Sequence, residues 1–276
     1  MLAITRLCSA TAIFLLQISA AAIAQQGPTQ HAKIELIARQ VAVSPGKDLL
    51  LGVHFVLEKG WHIYWINPGD SGQPPSFNWH LTPGFSAGEI RWPRPERLQP
   101  SKELVDYGYD DEVLFPVTIH APLAISDRTA EFAADAKWLI CREVCLPEHA
   151  SLHLTLPVSS STDLNQQHSQ LFAKTDKLIP QLLPRAWNAS AASRKDDFVL
   201  RIRAGKPIVK AEFFPLDPGQ IDNPAPQKLQ PTSNGAKITL KKSDLLLKPI
   251  TILRGVLVIP GSPSYRIEAP VRQPIQ

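Results

Sequence analysis

Two thiols stand four residues apart in the run Lys137-Trp138-Leu139-Ile140-Cys141-Arg142-Glu143-Val144-Cys145-Leu146-Pro147-Glu148-His149, and the one other cysteine, Cys8, lies close to the N-terminus. A thiolate can attack a disulfide, be bridged into one, or ligate a soft metal. On one straight strand, four steps of about 3.3 Å would set the two Cα atoms about 13 Å apart. A disulfide tolerates no more than about 7 Å, so a bridge requires the chain to turn between them. One helical turn would bring i and i+4 to about 6 Å. However, Trp138-Leu139-Ile140 before and Leu146-Pro147 after favour extended backbone, and Pro147 drives Leu146 out of the helical region. The expected solution is a hairpin-like turn over Arg142-Glu143-Val144.

Such a bridge would add little stability. A closed loop of about 5 residues is worth about 2 kcal/mol, against about 4.7 kcal/mol for a loop of 100. A short ring instead keeps both thiols neighbours after reduction, so that either can resolve a mixed disulfide. Taken alone, these residues leave open a working disulfide, a local staple, and a soft site for copper or zinc built from Cys141, Cys145 and His149. The last lacks an evident fourth ligand. Arg142 would favour a thiolate while Glu143 opposes it, so no net pKa argument follows.

The elements that must position this pair read as strands. Runs at 34–44, 49–57, 113–120, 130–140 and 150–158 are separated by turn residues such as Pro45-Gly46-Lys47-Asp48, while 67–75 and 92–100 carry the glycine and proline of loops. From Ser159 to Thr162 the texture changes. Apolar residues Leu164, Leu171, Phe172, Leu178 and Ile179 predict a connector helix over 163–179, capped by Thr162 or Asp163 and stopped by Pro180. A second strand-rich unit runs from Phe198 through 256–259 and 265–269. The fold expected is all-β: two immunoglobulin-like β-sandwich domains, 30–158 and 195–276, joined by a short helical linker over 159–194.

Residues 1–24 read as a cleaved secretory signal peptide, with Arg6 ahead of an apolar run and Ala22-Ile23-Ala24 as the cleavage site. Cys8 would leave with it, and the remaining pair would sit in an oxidising compartment. The net charge of +4 is too small and dispersed for nucleic acid. No later window resembles a membrane span, and no phosphate loop, hydrolase elbow or zinc-protease helix is present.

Other residues admit two readings. Trp61, Tyr64, Trp65 and Trp79 suit a sandwich core or a partner surface, and strand alternation turns Tyr64 to the face opposite Ile63 and Trp65. His62 and His149 are candidates for proton transfer, although exposed histidines are commoner. Asp70, Asp110, Asp111 and Glu112 read as solvated turn carboxylates rather than a cation site. Asn188-Ala189-Ser190 matches a glycosylation sequon, which carries weight only in a eukaryotic context.

The stretch Gly60-Trp61-His62-Ile63-Tyr64-Trp65-Ile66-Asn67-Pro68-Gly69-Asp70-Ser71-Gly72, read with Trp92-Pro93, Tyr107-Gly108-Tyr109, 113–117 and 138–147, resembles the periplasmic N-terminal region of the DsbD and ScsB thiol-disulfide interchange family. Phe213-Phe214-Pro215, Ile221-Asp222 and 224–227 extend the likeness, which is greatest to the ScsB-like branch with its two β subdomains. The resemblance implies an immunoglobulin-like domain in which Cys141 and Cys145 are the redox pair of a protein-disulfide reductase component. It implies passage of electrons to periplasmic thioredoxin-fold proteins, with no cofactor and no metal. Leu98 to Tyr109, with Tyr107 and Tyr109, is the expected counterpart of the family's cap loop, and Tyr64 is the further candidate for partner contact. The multi-helix membrane domain and C-terminal thioredoxin domain of full-length members do not follow in the sequence, so a separately encoded membrane electron donor is expected. The alternative is a non-catalytic periplasmic binding module or copper-tolerance protein with a structural disulfide.

Overall fold

A computed structural model describes residues 31–273, and the signal-peptide reading of 1–24, including Cys8, lies outside them. The first domain contains β1 (Ala32–Ala38), β2 (Leu49–Leu57), β3 (His62–Gly69), β4 (Ser76–Leu81), β5 (Ser86–Ile90), β6 (Glu96–Leu98), β7 (Asp106–Asp110), β8 (Glu112–His120), β9 (Thr129–Cys141) and β10 (Cys145–Pro157). One sheet runs β1-β2-β8-β5. The other runs β10-β9-β3-β7-β6, with β4 added against β9. Period-two alternation explains the sandwich: Ala130, Phe132, Ala134, Ala136, Trp138 and Ile140 are buried at every second position of β9. Ile63 and Trp65 from β3 meet Phe55 and Phe115 from the opposite sheet in the same core, where Phe55 lies edge-on to Trp138 at 5.2 Å. Among the aromatic residues weighed above, Trp61 and Trp65 are in this core, Trp79 packs against it half-buried, and Tyr64 is outside it.

The connector helix is shorter than its apolar spacing predicts. It spans α1 (Ser169–Asp176), and its N-cap is His168, without a side-chain cap hydrogen bond, rather than Thr162 or Asp163. The first residues of the expected helix are drawn into edge pairing instead. The Val41 amide donates to the Asp163 carbonyl, the Asn165 amide donates to the Arg39 carbonyl, and Leu164 bridges Gln40. Phe172 anchors the helix against Ile37, Leu50 and Leu114 on the outer face of the first sheet.

The second domain uses β11 (Gln181–Leu182), β12 (Asn188–Ser193), β13 (Asp197–Arg203), β14 (Glu212–Pro215), β15 (Lys228–Thr232), β16 (Gly235–Lys241), β17 (Ile252–Val258) and β18 (Tyr265–Arg272). Two of these, β11 and β12, arise within the segment read as linker. The order β14-β17-β18-β12-β13-β16-β15, with β11 on β18, is one hydrogen-bonded system. Both halves close on one core, since Phe198, Leu200, Ile202, Ile238 and Leu240 share it with Phe213, Leu253, Leu257 and Ile267.

The two β units also pack against each other. Phe214 and Val256 of the second domain belong to the first domain's core, and Phe214 stands edge-on to Tyr107 at 5.4 Å. The Asn67 side-chain amide donates to the Pro215 carbonyl at 2.7 Å.

Candidate thiol-disulfide exchange site

The chain turns where the spacing of the cysteines requires it. β9 and β10 form a hairpin in which Cys141 and Cys145 are directly opposed, with Cα atoms 4.1 Å apart, and the sulfurs are bonded. Arg142, Glu143 and Val144 make the tip, closed by the Arg142 amide donating to the Val144 carbonyl. Arg142 lays its guanidinium over the Trp61 ring at 5.1 Å, and His31 stacks on the same ring at 3.8 Å. The aromatic platform thus takes up the one cation that sequence placed beside the thiols.

Register decides which face carries the disulfide. Paired residues of an antiparallel ladder point to the same side. Cys141 pairs with Cys145 on one flank and with His62 of β3 on the other, and His62 pairs with Asp110 of β7. Ile140 and Ile63 face the core, so the disulfide, His62 and, two residues on, Tyr64 lie on the sheet's outer face. Cys145 is exposed, whereas Cys141 is only 2% exposed.

That outer face is not open. The β3–β7 ladder is interrupted between Tyr64 and Gly69, and the chain beyond the bulge folds back over Tyr64, which is fully buried. Gly72 makes the closest approach. Its φ is +75°, and a Cβ at this position would fall inside the Tyr64 ring, so both the conformation and the space require glycine. Beneath this cover the Tyr64 hydroxyl lies 3.5 Å from Ser71 Oγ and 3.6 Å from Cys145 Sγ. Ser71 donates its own hydroxyl proton to Asp106 Oδ2 at 2.8 Å and its amide to Oδ1 at 3.0 Å. The phenol therefore holds one proton with two acceptors in reach, the serine oxygen and the cysteine sulfur.

The electrostatics follow from the burial. Burial is the chief cause that pushes the Tyr64 hydroxyl above its ordinary value and so keeps it a proton donor, and the Ser71 hydrogen bond partly opposes it. Asp106 is also raised, by burial first, with the Ser71 hydrogen bonds acting against it. His62 is lowered by burial, with Asp106 and Asp110 pulling the other way. Its Nε2 has no hydrogen-bond partner among the described residues, and Asp106 Oδ2 is 3.9 Å away. The expectation that His62 is exposed is thus corrected: it is 9% exposed, edge-on to the Tyr64 ring at 5.3 Å, while His149 is at the surface.

The structure brings Cys141, Cys145 and Tyr64 together, with His62 beside them. It places Tyr107 and Tyr109 elsewhere. Tyr107 is fully buried at the domain boundary, donating to Asn223 Oδ1 at 3.1 Å, with its hydroxyl pKa pushed far up by burial. Tyr109 faces the core against Phe115 and donates to the Pro93 carbonyl. The contribution of segment 98–109 to the site is Asp106. Sequence reasoning missed Ser71, Gly72 and Asp106 as site residues, although Ser71 and Gly72 lie inside the quoted Trp61-to-Gly72 stretch. Nor is a soft-metal site formed with His149. It lies four steps along β10 from Cys145, about 13 Å in extended chain, and no cluster of three metal-ligating side chains occurs among the described residues.

Fold and site together define a class: tandem β-sandwich proteins carrying a disulfide at a hairpin tip of the first sandwich. Residues 34–157 match the family described as thiol:disulfide interchange protein DsbD, N-terminal. The crystal structure of the N-terminal periplasmic domain of ScsB from Proteus mirabilis superposes with a TM-score of 0.66 at 19% identity, covering 89% of this chain and 95% of that one. The tandem arrangement is therefore a shared fold. Spo0M, a sporulation control protein from Bacillus subtilis, aligns over 87% of this chain and 90% of its own at 13% identity, but with a TM-score of 0.25 that carries no argument. No curated protein matches in sequence.

Proposed function

We propose that this protein is a periplasmic thiol-disulfide interchange protein that passes reducing equivalents through the Cys141–Cys145 disulfide to thioredoxin-fold partners. The observation that carries this reading is the asymmetry of the pair: an exposed Cys145 with a buried hydroxyl at its sulfur, backed by a buried Cys141. A structural staple has no use for a proton donor aimed at one sulfur.

The chemistry proceeds by two exchanges. A donor thiolate attacks Cys145 Sγ, the Cys141–Cys145 bond breaks, and Cys141 leaves as thiolate and takes up a proton. The donor's second thiol loses its proton and attacks the donor sulfur of the mixed disulfide. The donor is thereby oxidised to a disulfide and Cys145 is released as thiolate. In the second exchange the Cys145 thiolate attacks an acceptor disulfide. Cys141 then resolves the mixed disulfide and the acceptor leaves as a dithiol. Tyr64 stabilises the Cys145 thiolate in both halves, because a hydrogen bond to a charged sulfur is stronger than one to a neutral sulfur. Val144, 60% exposed at the tip, and Pro147 give a partner an apolar rim around Cys145.

Localisation to the periplasm, with residues 1–24 removed, is supported by the signal-like N-terminus and by the periplasmic origin of the ScsB domain it superposes on. A membrane-bound electron donor completes the reading. Equilibration with glutathione or dithiothreitol buffers tests it: the expected reduction potential is less negative than about −300 mV, and a more reducing value marks a structural bridge.

A further inference from the structure

The cover over Tyr64 is held from the second domain. Asn223, 6% exposed, donates from Nδ2 to Asp70 Oδ1 at 2.8 Å and accepts at Oδ1 from the Tyr107 hydroxyl at 3.1 Å. Its carbonyl accepts from Arg97 at 2.7 Å. All three of these bonds cross the domain boundary. Asp70 also accepts from the Val105 amide at 2.8 Å and donates its own amide to the Val105 carbonyl. The next residues along the loop are Ser71, bonded to Asp106, and Gly72, packed on the Tyr64 ring. Asn67, at the other end of the loop, is fixed by the second domain's Pro215 carbonyl and accepts from the Gly69 amide.

We infer that Asn223 is a positioning residue for the exchange site: by holding Asp70 it presses the 69–72 loop onto Tyr64, and so keeps the Tyr64 hydroxyl at Cys145. This rests on the reading of Cys141–Cys145 as an exchange pair. It gives the second domain a part in the chemistry although that domain contributes no residue at the sulfurs. The physical basis is that a phenol with two acceptors at similar distances is directed by its ring position, and the ring is wedged by a loop with second-domain anchors at Asn67 and Asp70. An interface asparagine serving only as glue would affect the stability of the protein and leave the reactivity of Cys145 unchanged.

The experiment uses the reduced full chain carrying Cys141→Ser, in which Cys145 is the remaining thiol of the described residues, and follows its alkylation by iodoacetamide against pH. Mass spectrometry assigns the modified residue. Asn223→Ala is expected to slow alkylation at neutral pH by about threefold and to move the thiol midpoint upward. In a Tyr64→Phe background the same change is expected to have no further effect, because coupled residues are non-additive. Asp70→Ala removes the acceptor from the other side and gives the same pattern should Asn223→Ala fold poorly. An unchanged midpoint, or equal shifts with Tyr64 and with Phe, overturns the inference. No partner protein enters the assay, so its failure is separate from a failure of the proposed function, which the reduction potential judges.

Discussion

The hydroxyl of Tyr64 lies 3.6 Å from the sulfur of Cys145, buried under a loop whose glycine rests on the tyrosine ring. The hydroxyl group can support thiolate chemistry only at the exposed member of the pair, since no hydrogen bond links it to Cys141. In the proposed function this gives the disulfide a direction: one sulfur for partners, one for resolution.

Removing that hydroxyl tests its role. Tyr64→Phe should raise the thiol midpoint of Cys145 and slow its attack on a disulfide by about tenfold, the equivalent of about 1.4 kcal/mol and within the range of a hydrogen bond to a charged group. The fold should persist, because the ring and its packing remain. Stopped-flow reaction of the reduced protein with a small aromatic disulfide reads the rate. An unchanged rate removes Tyr64 from the chemistry.

Gly72→Ala should destabilise the first domain by about 2–4 kcal/mol, combining strain at positive φ with overpacking against a buried ring. It should also change the reactivity of Cys145, because Tyr64 must move to admit the methyl group. Urea unfolding followed by tryptophan fluorescence measures the first effect, and a loss below about 0.5 kcal/mol means the loop does not rest on Tyr64.

His62 makes a pH signature. Burial lowers its pKa below 6.5, so between 6.5 and the lower folded value the unfolded chain binds the proton and the folded chain does not. Stability from this group is complete above 6.5 and is lost as pH falls through that window. Asp106 acts with the opposite sign from 3.8 upward, since its raised pKa favours the protonated folded state. Comparison of wild type with His62→Asn isolates the histidine: the variant should lose less stability between neutral and mildly acid pH. Parallel curves contradict this.

The residues themselves revealed the hairpin, because four extended steps overshoot a disulfide and Pro147 argues against a helical turn. They also revealed the face of Tyr64, because alternation along β3 is a local rule. The connector helix was only partly legible: residues 163–165 have helical spacing, but edge pairing with residues 39–41 prevailed over it. The cover over the site was not legible. Gly69-Asp70-Ser71-Gly72 looks like an ordinary turn, and its meaning depends on Asp106 and Asn223, which lie 35 and 153 residues from their partners Ser71 and Asp70. The burial of His62 was hidden for the same reason. Tyr107 and Tyr109 stood out as aromatics in a resembling segment, yet their hydroxyls satisfy a second-domain asparagine and a backbone carbonyl.

The most direct test of the exchange pair is trapping. Reduced Cys141→Ser, offered to a periplasmic thioredoxin-fold protein in its disulfide form, should accumulate a mixed disulfide through Cys145, seen as one added partner mass and dispersed by dithiothreitol. Cys145→Ser should accumulate little, since Cys141 is buried. Absence of any adduct with Cys141→Ser across the thioredoxin-fold proteins of the periplasm would contradict the role of Cys141–Cys145 as an exchange disulfide.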